Sequence, residues 1–540
     1  MDIVSWAQTA AVIFGIYYIV LYLERALRRR LLLKHTCVLD IDTLGRRLPS
    51  QKIKGTAVIC GGSIAGLVAA RVCHDHFEDV VIVEPETWVS SEDAKRTDAW
   101  NQENKRTRVM QYGSFHSFLA IGYMSFAKLF PNLAEECPND QHLHMWGSEV
   151  ISPYEQYGGS LPQTLYLGRT GLETLLRRLV LGGDYKNIRQ VIGTVVGISR
   201  GVSDPHFIDR VTVRTPEGAM TDISAALVVD CTGSAATGLR WLRREGYGIG
   251  DTYAKNELPL HKLKISYDQK LHYSTLQFHV PPELGRKLPG LPVPYDECGM
   301  IYVFIPDISK ERRCIYSQRI EGDFIQLCFG VAGSESAGEL PKTLEEAKVW
   351  ARSIITEVPI PEGWYAMLDI LKEAQDTMTC SQVRFAPSTW IRYERGVNLP
   401  SNWIAAGDSV MRVNPIFGQG CSKAICGAIC LNKLLQTVPV SIPKDFSKKY
   451  FWMHADKIEP IWSTTKVIDY AFATTVPVPG ESLSEGAWLR WYIKKLTDLS
   501  FTDTQAASAL WHLRVLLAPP TDLLQLALVL KVVWNLIRRP

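Results

Sequence analysis

The residues best placed to do chemistry lie in the stretch 57–72, which reads AVICGGSIAGLVAARV. A short apolar strand runs into a turn that resembles Gly-x-Gly-x-x-Gly, and a helix follows. Such a turn brings backbone N–H groups and the positive end of a helix dipole to an anionic pyrophosphate. A serine holds the middle glycine position, and one small side chain should leave the turn usable. The predicted cofactor-binding turn comprises Gly61, Ser63, Ile64, Ala65 and Gly66.

A carboxylate completes this dinucleotide pattern. Glu84 ends the strand DVVIVE about 20 residues after the turn, where an acid accepts hydrogen bonds from the adenosine ribose. An acid at this position suits an unphosphorylated ribose and repels a 2′-phosphate. The pattern predicts a bound FAD or NAD without choosing between them.

A second stretch, WIAAGDSVMRVNPIFGQG at 403–420, favours FAD. Asp408 follows directly after a short strand, and Pro415, Gly418 and Gly420 precede a helix rich in small residues. A carboxylate beside a second helix N-terminus suits a ribityl chain and a flavin ring, and NAD has no ribityl group.

Composition narrows the class of protein. The chain has 540 residues, which exceeds what one hydrophobic core supports and predicts two or more domains. Its net charge of +3 is too small to suggest a nucleic-acid partner. The cluster Cys421, Cys426 and Cys430 lies among Ala and Gly on a predicted helix, which indicates tight packing, so no metal site is predicted.

The two ends of the chain suggest contact with a membrane. Residues 3–23 carry no charge and would span roughly 31 Å as a helix, with a basic flank behind them. They predict a single-pass anchor with the catalytic body in the cytosol, at the endoplasmic reticulum if the source is eukaryotic. Residues 521–540 form a shorter apolar helix, which either lies in the plane of the membrane or packs on the protein's own surface.

Five ordered motifs make the chain resemble the FAD-dependent aromatic monooxygenases of the p-hydroxybenzoate hydroxylase fold, as a membrane-anchored member. They cover about residues 54–440. The motifs are GGSIAG, RTRVMQYGSFHSFL at 106–119, GRTGLETLLRRL at 168–179, LVVDCTGSAATGLRWLRREGYG at 227–248, and GDSVMRVNPIFGQG.

The resemblance implies roles for further residues. Arg108, Gln111 and Arg169 should approach the cofactor, and Asp408 should bind the ribityl chain. Pro415, Gly418 and Gly420 should lie under the isoalloxazine. Asp230 and Gly233 should lie near the FAD crevice and mainly hold the fold. His116 is the one candidate for activating a phenol, with a structural role as the alternative.

The resemblance also implies an architecture. The fold class is α/β, with a discontinuous Rossmann-like FAD-binding domain, an antiparallel β-sheet substrate domain, a helical C-terminal cap and an N-terminal transmembrane helix. Apolar residues of the substrate domain, such as Phe278, Tyr302, Phe304 and Phe329, line either the pocket or the core, and the core is the more common place. The expected ranges are 1–34 for the anchor and its basic flank, 54–254 and 396–440 for the FAD-binding domain, 255–395 for the substrate domain and 441–540 for the C-terminal region.

The implied activity is insertion of one oxygen atom from O2 into a lipophilic aromatic, such as a prenylated phenol, through a flavin C4a-hydroperoxide. FAD is the bound cofactor, and NADPH or NADH is the reductant. Expected partners are the small lipophilic substrate and membrane lipid, and a homodimer stays open. The alternatives are an isoprenoid epoxidase like squalene epoxidase and a flavin-dependent reductase or dehydrogenase. A flavin halogenase should carry Trp-x-Trp-x-Ile-Pro, a string that the sequence lacks.

Overall fold

The computed structural model describes residues 3–136, 151–152, 159–250, 254–305, 307–308, 310–334, 338 and 340–538, with side chains from Val12 onward. The helices are α1 Ile3–His35, α2 Ile64–His76, α3 Ala120–Leu129, α4 Leu133–Glu136, α5 Arg169–Leu181, α6 Gly238–Arg244, α7 Pro282–Gly285, α8 Leu344–Arg352, α9 Glu362–Ile370, α10 Gly420–Leu435, α11 Phe446–Asp469, α12 Ala487–Ser500, α13 Thr504–Arg514 and α14 Leu526–Arg538. The strands are β1 Ile53–Cys60, β2 Phe77–Glu84, β3 Ile188–Ile192, β4 Thr194–Arg200, β5 Ile208–Arg214, β6 Met220–Ser224, β7 Leu227–Asp230, β8 Lys264–Tyr267, β9 His272–His279, β10 Met300–Phe304, β11 Arg313–Ile320, β12 Phe324–Val331, β13 Thr379–Arg384, β14 Ser388–Ile391, β15 Trp403–Ala405 and β16 Met411–Arg412.

A five-stranded parallel sheet in the order β15-β7-β1-β2-β3 forms the first layer. The runs 57–60 of β1 and 80–83 of β2 are buried and apolar without alternation, because the sheet packs against both α2 and the smaller β4-β5-β6 sheet. Cys60 of β1 pairs with Asp230 of β7, which in turn pairs with Ala405 of β15. The carboxyl ends of these three strands therefore finish level with one another. This register brings the glycine turn and Asp408, far apart in sequence, to one edge of the sheet.

A five-stranded antiparallel sheet in the order β10-β11-β12-β9-β13 forms the second layer. Successive side chains along each strand point to opposite faces. On one face, Phe278 and Phe329 are fully buried in a core with α8 and α9, and Tyr302 and Phe304 pack partly buried against it. These four aromatic side chains therefore belong to the core. The other face turns toward the edge of the parallel sheet where the glycine turn lies.

Two smaller sheets, β16-β14-β8 and β4-β5-β6, flank these layers. The helices α11 to α14 make up most of the region after residue 445. The expected α/β class, with a parallel sheet and a separate antiparallel sheet, is confirmed. The domain boundaries given above stay predictions.

The predicted transmembrane helix is wrong. Among the residues whose side chains the structure describes, no helix carries an apolar stretch long enough to cross a bilayer. Glu24 and Arg25 end the uncharged part of α1, and Arg28, Arg29 and Arg30 follow in the same helix. The single-pass anchor, and the membrane localisation deduced from it, are corrected accordingly.

The last helix packs on the protein's own surface with one face. Leu528 and Val532 of α14 are buried in a small core with α12 and α13, and Lys531 Nζ lies 2.6 Å from Asp503 Oδ2. The opposite face exposes Leu530 and Trp534. Of the two placements expected for this helix, packing on the protein body accounts for its buried face.

Candidate active site

A cavity of about 840 Å³ lies between the carboxyl edge of the parallel sheet and the open face of the antiparallel sheet. Its size falls within the range of small-molecule and cofactor sites. Of the predicted site residues, the cavity walls contain Gly61, Ser63, Ile64, Ala65, Glu84, Arg108, Gln111, His116, Arg169, Asp408, Pro415, Gly418 and Gly420. Gly66 is the one predicted residue outside the lining. The structure thus brings together five segments that are separated by up to 359 positions in sequence.

The shape of the glycine turn depends on two glycines, and neither is the position that serine occupies. Gly61 has φ +118°, and a Cβ there would lie 2.4 Å from the carbonyl oxygen of Cys231. A Cβ on Gly66 would lie 1.8 Å from the carbonyl oxygen of Gly61, where α2 crosses the turn. Ser63 has φ −95°, which any L-residue adopts. The serine therefore fits the turn without strain.

Ser63 also ties the turn to α5. Its Oγ donates to Glu173 Oε2 at 2.9 Å and accepts from Arg169 Nη2 at 2.6 Å. Arg169 is ion-paired with Glu173 at 3.1 Å, and its buried Nε has no partner among the described residues. Because Arg169 also lines the cavity, it places a positive charge and a free donor beside the turn. An anionic group is the ligand that such a wall suits.

Glu173 is the centre of a buried charge network that the sequence did not single out. Arg106, Arg169 and Arg177 all form ion pairs with its carboxylate. Burial raises the pKa of Glu173, but these three guanidinium groups outweigh burial and hold the pKa below its usual value. The residue is therefore ionised at neutral pH. The signal available in the sequence was the Arg-x-x-Leu-Glu motif itself, whose Glu ends the motif.

Arg106 links the predicted ribose acid to this network. It lies 3.2 Å from Glu84 Oε1 and also pairs with Glu86 and Glu173. Glu84 Oε2 accepts the N–H of Gly62 at 2.8 Å, and its side chain is buried. Glu84 thus holds the glycine turn from β2 while still lining the cavity. Its contact with a ribose stays a prediction.

Asp408 also lines the cavity, and the residue before it, Gly407, lies close to Ala65 of the glycine turn. Asp408 Oδ1 is 2.7 Å from Nζ of Lys423, a fully buried cation on α10. The neighbouring Ser409 donates to Asp230 Oδ1 at 3.2 Å, and Asp230 also accepts the N–H of Gly238 at 3.0 Å. Asp230 therefore holds the edge of the sheet together, as expected, and Lys423 fixes the direction of the Asp408 carboxylate.

The segment 106–119 forms a third wall. The Arg108 side chain has no ion pair within the described part of the chain. Gln111 Nε2 donates to the hydroxyl of Tyr273 at 2.8 Å, so its amide reaches the antiparallel sheet. His116 Nδ1 lies 2.9 Å from the carbonyl oxygen of Ser114. Burial, and secondarily the charge of Arg169, lower the pKa of His116 to about 4, so this imidazole is neutral at pH 7.

The end of the cavity that faces the antiparallel sheet is apolar and aromatic. Its main wall residues are Leu271, Tyr273, Cys314, Tyr316, Cys328 and Phe385. Burial raises the pKa of Tyr273 to about 12, so its phenol keeps its proton and donates a long hydrogen bond to Ser114 Oγ at 3.4 Å. The hydroxyl of Tyr316 donates to the carbonyl oxygen of Ile416 at 3.1 Å. Strand alternation in β9, β11 and β12 was the sequence signal for this face, but it did not reveal which face borders a cavity.

Comparison with known proteins shows which solved structures have a similar fold. No family model matches the chain. Protein Rv3254 of Mycobacterium tuberculosis (strain H37Rv) is 25% identical over 502 residues, which cover 85% of this chain and 89% of that protein. The flavin-dependent brominase Bmp2 has a TM-score of 0.52 at 12% identity, over 90% of this chain and 100% of its own. A triple mutant of Bmp2 gives 0.50 at 13%, over 89% and 99%. At these identities the likeness establishes that the chain shares the fold of a flavin-dependent enzyme.

Proposed function

We propose that the protein is an FAD-dependent monooxygenase that inserts one atom of O2 into a lipophilic aromatic substrate, with NADPH or NADH as the reductant. The observation that carries this proposal is one continuous cavity with two unlike ends. One end joins a glycine turn, a cationic wall and a carboxylate. The other end is built from aromatic and aliphatic side chains of the antiparallel sheet.

The residues at the polar end of the cavity suit the chemical groups of FAD. The turn at 61–66 approaches its surroundings so closely that only glycine fits at both ends. Arg169, with its unpartnered Nε, would meet the pyrophosphate, and Glu84 would meet the adenosine ribose. Asp408 would accept hydrogen bonds from the ribityl hydroxyls, and the loop 415–420 would lie against the isoalloxazine. When bound, FAD supplies the redox chemistry and the activation of oxygen.

The chain's own residues bind, orient and exclude water. Tyr273 offers a protonated phenol at the substrate end, held by Gln111, and this group can orient a polar substituent of the substrate. The surrounding apolar wall excludes water from the reacting atoms. His116 is a neutral imidazole at pH 7, because burial and Arg169 lower its pKa to about 4, and in this state it can form hydrogen bonds at the site.

The proposed substrate class is based on the residues that line the apolar end of the cavity. The aromatic rings of the apolar end match a flat, lipophilic molecule. Arg412 also lines the cavity and lies over the ring of Phe385, and its guanidinium donates to the carbonyl oxygen of Pro387 at 2.7 Å. A phenol with an isoprenoid tail combines a flat ring, a hydroxyl for Tyr273 and apolar bulk. An isoprenoid epoxidase and a flavin reductase would bind FAD in the same way. The products of the reaction therefore have to distinguish these two activities from the proposed one.

The test is turnover under isotopically labelled oxygen gas. The purified protein should be yellow, and it should consume NADPH faster when a prenylated phenol is added. One labelled oxygen atom in the phenol ring supports the proposal. Label only in the isoprenoid tail would identify an epoxidase, and turnover without oxygen would identify a reductase. A colourless protein that takes up no FAD would refute the proposal.

Asp408→Asn is expected to raise the Kd for FAD about 10- to 100-fold, because a charge-assisted hydrogen bond contributes about 1.5–3 kcal/mol. Asparagine keeps the size of the side chain, and its amide oxygen can still accept a hydrogen bond from Lys423 Nζ. Fluorescence titration of the apoprotein with FAD measures the effect. The control is Asp222→Asn, an exposed acid on β6 that pairs with Arg210 away from the cavity. Equal FAD affinity in both variants would show that Asp408 does not contact the cofactor.

A further inference from the structure

The loop 414–420 is held by a side chain from outside both sheets. Asn414 Nδ2 donates to Asp469 Oδ1 at 2.7 Å. The Oδ1 of Asn414 accepts the N–H of Ile416 at 3.0 Å, which starts a short 3-10 turn that ends at Gly418 with φ +66°. Pro415, Ile416 and Gly418 line the cavity. The conformation of this cavity wall therefore depends on the amide of Asn414, and that amide is aimed by Asp469.

Asp469 is the last residue of α11 and is buried at 1% exposure. Its Oδ2 accepts the hydroxyl of Tyr267 on β8 at 2.8 Å. The nearest cation on its own helix, Lys466, is paired with Glu481 at 2.7 Å, and Tyr470 also donates to Glu481. Among the described residues no cation pairs with Asp469. A carboxylate at the negative end of a helix dipole, without a counter-ion, is poorly placed to carry charge.

We propose that Asp469 is a positioning residue for the flavin-facing loop, acting through Asn414 to set the geometry of residues 415–418. This inference rests on the proposed function, because it assigns the loop to the flavin ring. Stability alone does not explain the arrangement: a buried acid without a counter-ion costs free energy that an apolar residue would avoid. The contact with Asn414 is what an apolar residue could not supply.

The arrangement makes the loop sensitive to pH. Burial raises the pKa of Asp469 to about 7, although the hydrogen bonds from Tyr267 and Asn414 oppose this rise. The charged carboxylate accepts from both partners, whereas the protonated acid must donate to one of them. Its contribution to stability is complete below the unfolded pKa of about 3.9 and is lost as the pH rises through the folded value. The environment of the flavin ring should therefore change near neutral pH.

Two variants separate the roles of the contact and the proton. Asp469→Asn cannot titrate but keeps an oxygen for Asn414. Asp469→Leu removes the contact and leaves Asn414 Nδ2 without its acceptor. The control is Asp522→Asn. Asp522 is another buried acid of the C-terminal region, it pairs with Arg28 at 3.0 Å, and it is distant in sequence from the loop. The measurements are the Kd for FAD, the visible spectrum of bound FAD against pH, and hydrogen exchange of the loop in the apoprotein.

Asp469→Leu leaves two buried donors, Asn414 Nδ2 and the Tyr267 hydroxyl, without their acceptor. It should raise the Kd for FAD about tenfold or more and should speed exchange at 416–418. The native spectrum should shift with a midpoint near pH 7, and Asp469→Asn should lose that shift. If Asp469→Leu does not fold, the pH dependence of the spectrum of Asp469→Asn decides whether the inference holds. Native exchange and native Kd in a folded Asp469→Leu, or an unchanged spectral shift in Asp469→Asn, would overturn the inference. If the native protein binds no FAD, the proposed function fails, and loop exchange still decides whether Asp469 positions the loop.

Discussion

Glu173→Gln is expected to lower the free energy of unfolding by about 3–5 kcal/mol, the cost of removing one partner from a buried ion pair. Glu173 carries the negative charge shared by Arg106, Arg169 and Arg177, and its side chain is 4% exposed. Glutamine keeps the shape but leaves buried guanidinium charge without compensation. Urea unfolding of the native protein and the variant measures the difference.

The difference should depend on pH with a defined sign. The pKa of Glu173 is lowered in the folded state, so its contribution is complete above the unfolded pKa of about 4.3 and falls as the pH drops through the folded value. The matched control is Glu92→Gln, whose carboxylate is 90% exposed and pairs with Lys95. Surface pairs of this kind contribute little. A loss for Glu173→Gln as small as that of the control would show that the network does not stabilise the fold.

Gly66→Ala should nearly abolish FAD binding, with a Kd about 100-fold higher. In an open helix, alanine is favoured over glycine by about 1 kcal/mol. At this position the added Cβ would lie 1.8 Å from the carbonyl oxygen of Gly61, so either the turn or α2 has to move. Overpacking of this kind costs about 1–3 kcal/mol, which outweighs the gain in helix propensity. FAD titration of the apoprotein, together with thermal unfolding, measures both effects.

The control for this variant is Gly197→Ala on β4, where an added Cβ meets nothing within 4 Å. It should bind FAD with native affinity. Native FAD affinity in Gly66→Ala would mean that the turn does not approach the cofactor as closely as its glycines suggest.

Local pattern alone predicted the elements that carry the site. The apolar stretch before Gly61 and the small-residue helix after Gly420 each depend on neighbours in sequence, and each is a strand or helix of the expected kind. The residues of the glycine turn were also predictable, because a backbone conformation that only glycine tolerates requires glycine at that position in the sequence. The N-terminal anchor was predicted from local hydropathy over 3–23 and the basic flank behind it, and none of the helices among the described residues has the length and apolar character needed to cross a membrane.

Partners that lie far apart in sequence were decided by the tertiary structure. The sequence determined the α/β class, the glycine turn and the carboxylate Asp408. It gave no sign that Lys423 would meet Asp408, or that Asp469 would hold Asn414 from 55 positions away. Such contacts form between side chains that only the packing of α10 and α11 brings within hydrogen-bond distance. Burial then decides their pKa values, and burial is a property of the folded chain.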